Sequence, residues 1–144
     1  MIGIHYSRAI QASLDSGRYG TGNPCAARHR VAGHPVLSHR IHFYVSRDGV
    51  DVIPERACGP FRHAADLSGL RIYDFKRDPK GLKDKSHWCE RSFRAGEPFA
   101  DRASALEMLV VAAGFDGYLA DFGQCDAVVL LGKRTIDVKH SPKG

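Results

Sequence analysis

The alternation of apolar and polar positions divides the chain into short strands around one well-formed helix. The opening "MIGIHYS" sets Ile2 and Ile4 against polar neighbours, which predicts a strand. "RAIQASLD" then predicts a turn or two of helix, and "SGRYGTGNP" reads as a loop because Gly, Asn, Pro and Ser supply turn conformations. The stretch "CAARHRVAGHPVLSHR", residues 25–40, reads as a short helix broken before Pro35, since a proline ring disfavours helical geometry in the residue before it. "RIHFYVS" is dense in aromatic and β-branched side chains and predicts a second strand.

Farther along, "GVDVIPE" is read as extended, and "FRHAADLSGLRIYDF" as two short strands joined by a Ser-Gly turn. The charged stretch 76–96 carries little periodicity, with helix expected over 83–93. A stronger helix follows, in which Ala105, Leu106, Leu109, Val110 and Ala113 share one face. Asp101 is its expected cap, and Gly114 its expected end in a left-handed turn. "DAVVLL" and "RTIDVK" close the pattern as strands, with Gly132-Lys133 as a two-residue hairpin turn. Strands at both ends with helices between predict an α+β domain rather than a doubly wound parallel sheet.

Composition narrows the class. A chain of 144 residues fits one domain, and such a domain buries roughly 70% of its unfolded surface. With 43% hydrophobic and 26% charged residues, gross disorder is excluded. No apolar run approaches the ~20 residues of a membrane span, and no charged segment leads into an apolar one at the N-terminus. A cytoplasmic location without a membrane partner is expected. Cys25, Cys58, Cys89 and Cys125 lie far apart, without a CxxC pair, so free thiols are expected. The net charge of +5 points to an anionic ligand or partner. The basic residues are scattered among carboxylates, so no dedicated DNA-binding motif is read.

Three patches carry possible chemistry. "GRYGTG" has neither the Walker spacing nor that of a dinucleotide fingerprint. Cys25, His29, His34, His39 and His42 lie within 18 residues, but their spacings form no standard zinc module and arginines between them would repel a cation. No metal is expected; His42 shares a strand face with Tyr44 and is read as bordering a ligand pocket instead. The third patch is "GFDGYLADFGQCDAVVLL", residues 114–131, where Asp116, Asp121, Gln124 and Asp126 surround a Gly-rich corner before an apolar strand.

Taken in order, "HYS", "LDSGRYGTG", "HFYV" and "AGFDGY" resemble the compact ADP-ribosyltransferases, especially the small family embedded in phage polyvalent proteins. Phage anti-CRISPR ADP-ribosyltransferases are similar in size and C-terminal layout. The resemblance covers residues 2–138. It implies a compact split β-sheet domain, residues 1–144, that takes NAD as a substrate. Such enzymes cleave the nicotinamide–ribose bond and pass ADP-ribose to an acceptor, here expected to be a host protein.

Residue by residue, the resemblance implies that His5, with Tyr6 and Ser7 beside it, binds the adenosine-side ribose. Tyr44 would stack on nicotinamide, Tyr19 would line the same pocket, and Gly20 and Gly22 would let backbone amides approach the cofactor. Arg8, Arg18 or Arg47 would take the pyrophosphate. The family's late-strand glutamate is missing, since residues 116–131 contain none. Asp121, then Asp126, is the expected catalytic carboxylate, with Gln124 orienting a ribose hydroxyl; Glu55 reads as a loop acid. A carboxylate near the ribose offsets the positive charge of the oxocarbenium-like transition state. The alternative reading is a non-enzymatic basic inhibitor that binds protein or nucleic acid.

Overall fold

A computed structural model describes residues 1–18, 39–46, 59–83, 85, 99–121 and 125–141, with the backbone alone for 99–105. The strands are β1 (Ile2–Ser7), β2 (Ser13–Asp15), β3 (Arg40–Val45), β4 (Phe61–Asp66), β5 (Ile72–Asp74), β6 (Gly117–Asp121), β7 (Asp126–Leu131), β8 (Thr135–Asp137) and β9 (Lys139–His140). Helix α1 (Phe99–Ala112) precedes β6. Seven strands form one sheet in the order β5-β6-β7-β3-β1-β4-β9, and β2 pairs with β8 as a separate ribbon. Only the β5–β6 neighbours run parallel. This is a small α+β fold.

Register decides which side chains meet. Ile4 pairs with Tyr44 and Tyr44 with Ala127, so neighbouring strands are locked in step. Successive side chains then alternate between the two faces. One face carries Ile41, Phe43, Ala65, Val128 and Leu130, packed with Leu14, Ile136 and Val138 from the ribbon segments. The other carries Tyr73, Phe75, Tyr118, Val129 and Leu131 against Val110, Leu106 and Leu109 of α1. Because both faces are covered, all six residues of β7 are buried.

A buried polar cluster ties α1 to the sheet. Arg40, at the start of β3, forms an ion pair with Glu107, and the Tyr118 hydroxyl donates to the same carboxylate at 3.0 Å. Glu107 is 1% exposed and Arg40 6%, so neither charge has recourse to bulk water.

Several expectations are corrected. Within "RAIQASLD", residues 13–15 form β2 rather than helix, because Leu14 pairs with Ile136 and packs on the sheet. Helix α1 begins before Asp101, which lies inside it rather than capping it. Gly132 has the expected positive φ of 87°, yet β7 and β8 make no hairpin. The chain turns away there, and Ser16 fixes the crossing: its N–H donates to the Arg134 carbonyl at 3.0 Å, and its Oγ accepts the Arg134 N–H at 2.8 Å. β4 and β5 exist as read but are not neighbours; the segment between them crosses to the far edge of the sheet. Gly114 ends α1 as expected, at φ 86°. The helix read in "CAARHRVAGHPVLSHR" up to residue 38, the extended 49–55 and most of the helix at 83–93 lie outside the described residues.

β6 is a strand that the Gly-rich reading of residues 114–124 passed over. Gly117 opens it because a Cβ there would sit 2.2 Å from the Val129 carbonyl oxygen. That neighbour is backbone and cannot move aside cheaply. Gly117→Ala is therefore expected to cost about 2 kcal/mol or more, read as a lower denaturant midpoint with an unchanged slope.

Candidate functional site

His5 sits in the second half of β1, between β3 and β4. Its Nδ1 lies 3.0 Å from the carbonyl oxygen of His42 in β3. A carbonyl only accepts, so Nδ1 carries the proton and the lone pair rests on Nε2. Burial lowers the pKa of this imidazole, and it outweighs the opposing bond to the His42 carbonyl; the neighbouring His63 lowers it further. His5 is thus a neutral, orientation-fixed ring whose free nitrogen is a hydrogen-bond acceptor.

The sign of the linkage follows. A histidine with a depressed folded pKa binds its proton more readily in the unfolded chain. Stability is unaffected well above the ordinary value of 6.5 and falls as pH drops below it. His5→Gln is expected to flatten this acid-side loss, measured as the denaturant midpoint against pH between neutrality and pH ~5.

His63 of β4 is the direct cross-strand partner of His5 and is fully buried. Its Nε2 accepts the Gln11 backbone N–H at 2.8 Å, which pins the segment leaving β1. The His63 proton therefore sits on Nδ1, which has no hydrogen-bond partner among the described residues. His140 of β9 continues the row, with its ring 5.8 Å from that of His63. With Nε2 engaged by the Gln11 N–H, that nitrogen of His63 is not available to a metal. Among the described residues no three His, Cys, Asp or Glu side chains are grouped to hold one. Of the Cys/His patch, only His39 and His42 are described.

The two aspartates meet at the opposite end of the strands. Asp121 and Asp126 are paired residues at the facing ends of β6 and β7, and Val45 follows on β3. Asp126 is 7% exposed and accepts from Lys76 Nζ at 2.8 Å, while Asp121 is exposed. Strand alternation puts both on the face that carries Phe43 and His5. Two residues along, Asp126 is two strands over and Asp121 three, so their backbones lie roughly 12 and 16 Å from that of His5.

Tyr44 does not join them. It shares a row with Ile4, one residue out of step with His5, and so points to the helix-side face, as does Tyr6. The two tyrosine rings lie 6.4 Å apart. His42 shares their face, so the pairing of His42 with Tyr44 holds, but a pocket common to His5, Tyr6 and Tyr44 does not form across the sheet. The aromatic ring beside His5 is Phe43, at 6.2 Å and fully buried. Ser7 is on the His5 face, where its hydroxyl donates to the Ala9 carbonyl.

Asp116 also leaves the group in which the sequence set it. It lies at the other end of β6 from Asp121, roughly 17 Å along the chain at strand rise. There its carboxylate accepts the Arg71 N–H at 2.8 Å and faces Arg134 at 3.5 Å, so it braces the corner before β6. Tyr19, Gly20, Gly22 and Gln124, together with Arg47 and Glu55, lie outside the described residues. Arg8 and Arg18 are exposed at the surface.

Three features escaped the sequence reading: His63, the Lys76–Asp126 bridge and the Arg40–Glu107–Tyr118 cluster. One left a trace. Phe61, His63 and Ala65 alternate with Arg62 and Ala64, so a histidine occupies an inward position of a half-buried strand. The two pairings span 50 and 67 residues, and no local pattern encodes them. No protein-family model, curated protein or solved structure matches this chain.

Proposed function

We propose that the protein is an NAD-dependent mono-ADP-ribosyltransferase that transfers ADP-ribose to a host protein or another acceptor. The observation that carries this reading is the fixed tautomer of His5: Nδ1–H is spent on the His42 carbonyl, and Nε2 is left as an acceptor for a ribose hydroxyl. The ring stays uncharged, so it binds the hydroxyl without opposing the positive charge that develops on the ribose. A paired carboxylate group on the same sheet face supports the reading. Asp126 is 7% exposed and bonded to Lys76, whereas Asp121 is exposed at the strand end, so Asp121 is the acid read as reaching the ribose.

The step balances simply. The bond from ribose C1′ to the nicotinamide nitrogen breaks, and nicotinamide leaves with the bonding electrons. The acceptor nucleophile forms the new bond to C1′ and gives up its proton. The carboxylate lowers the barrier by stabilising the cationic ribose more than the ground state.

Titration calorimetry of NAD into the purified protein tests the reading. Binding by the parent chain that weakens at least tenfold in His5→Ala, with an unchanged melting transition, is the expected result. Equal binding by both would contradict it. The position of Tyr44 on the face away from His5 favours a second reading, a non-enzymatic basic binding protein, and that reading requires no NAD affinity.

A further inference from the structure

Residues 71–83 and Lys85 carry six cationic side chains, Arg71, Lys76, Arg77, Lys80, Lys83 and Lys85, all exposed. The described acids among them, Asp74 and Asp78, are engaged by neighbouring donors. Asp74 accepts the Lys76 N–H at 2.8 Å and lies 3.8 Å from the Arg77 guanidinium. Asp78 accepts from the Tyr73 hydroxyl and from the Leu82 and Lys83 amides at 2.8 and 3.1 Å. Burial pushes the Asp78 pKa up, but those donors outweigh it and hold the carboxylate below its ordinary range.

This surface is rigid. Phe75 and Leu82 anchor it in the core, at 2% and 3% exposure. Turn bonds from Asp78 N–H to the Asp74 carbonyl and from Gly81 N–H to the Asp78 carbonyl, at 2.8 and 3.0 Å, hold the chain between them. The cations are thus displayed from an ordered ledge, and little backbone entropy is lost when a ligand docks. The ledge starts at the acid pair, since Lys76 bonds Asp126, and it continues from β5 at the edge of the sheet.

What it lacks identifies the partner. Protein interfaces are anchored by buried apolar and aromatic side chains. Among the described residues, the large exposed apolar side chains are Met1, Ile2, Ile10, Met108 and Val111, none of them on the ledge. A surface that offers charge without an apolar anchor fits a polyanion with regularly spaced charges. We propose that residues 71–83 and Lys85 form a docking ledge for the sugar-phosphate backbone of a nucleic acid, held beside the Asp121–Asp126 pair. Docking itself does not depend on the transferase reading. Under that reading, the acceptor is the nucleic acid or a protein bound to it.

The test uses the full chain and a fluorescent single-stranded DNA of about 16 nucleotides, followed by anisotropy across a salt series. The Arg77→Glu/Lys83→Glu/Lys85→Glu variant alters exposed side chains outside the candidate site. It is expected to bind at least tenfold more weakly, with a salt slope shallower by about 2. A control, Lys133→Glu/Lys139→Glu, reverses exposed charges away from the ledge and is expected to keep the parent slope. Absence of binding by the parent chain at low salt overturns the proposal, as does an equal loss in the control. Binding of polyglutamate in place of DNA also overturns it and assigns the ledge to an acidic protein. Nicotinamide release without an acceptor is expected to be the same in the ledge variant and the parent, so failure of the transferase reading is seen separately.

Discussion

Glu107→Ala is expected to destabilise the fold by about 3–5 kcal/mol, because it leaves the Arg40 guanidinium buried without its carboxylate. For a chain of this size that corresponds to a fall in melting temperature on the order of 10 °C. The cost arises less from the lost attraction than from the desolvation of a guanidinium only 6% exposed to water, with the Glu107 carboxylate gone. The Tyr118 hydroxyl loses the Glu107 carboxylate as an acceptor at the same time. Glu107→Gln keeps an acceptor for Tyr118 and is expected to recover part of the loss. The double replacement Arg40→Met/Glu107→Leu removes both charges and is expected to be far milder than the single change. Denaturant unfolding of the three variants checks this ordering; a double variant as unstable as Glu107→Ala would contradict it. The effect also reaches the candidate site, since Arg40 begins the strand whose His42 carbonyl sets the His5 tautomer.

The second large effect is on catalysis. His5→Ala and Asp121→Asn are each expected to lower nicotinamide release by ~10²–10³, with melting transitions close to that of the parent. His5→Gln, whose amide retains an acceptor oxygen, is expected to fall between His5→Ala and the parent. Asp126→Asn tests the division of labour between the acids. Because Asp126 is 7% exposed and held by Lys76 while Asp121 is exposed, replacement of Asp126 is expected to cost less in rate than that of Asp121. Tyr44→Phe is expected to leave release nearly unchanged, since Tyr44 faces away from His5. Parent-like release by both His5→Ala and Asp121→Asn would remove these residues from the site.

Local pattern made the strands legible. Ile2 and Ile4 alternate with polar residues, "HFYV" is β-branched and aromatic, and Ala127–Leu131 is continuously apolar because both sheet faces are covered. Gly114 marked the end of α1 for a reason that holds in the fold, its left-handed backbone. What failed was non-local. Nothing in "RAIQASLD" announces that Leu14 is needed opposite Ile136, more than a hundred residues away. Gly132-Lys133 has hairpin chemistry, but Ser16 captures the chain beyond it. The same limit governs the site. His5 was legible as a strand residue, whereas its face relative to Tyr44 is a matter of register, and a slip of one residue inverts it. Asp121 and Asp126 were legible as acids near a sheet end; their pairing and the Lys76 bridge were not.

The central claim is tested most directly by nicotinamide release from NAD by the purified chain, with and without host lysate and with label transfer from tagged NAD. The account predicts release that rises with lysate, labelled acceptor in the same samples, and loss of both in His5→Ala. No release under any condition, together with no NAD binding by calorimetry, would contradict it and leave the binding-protein reading in its place.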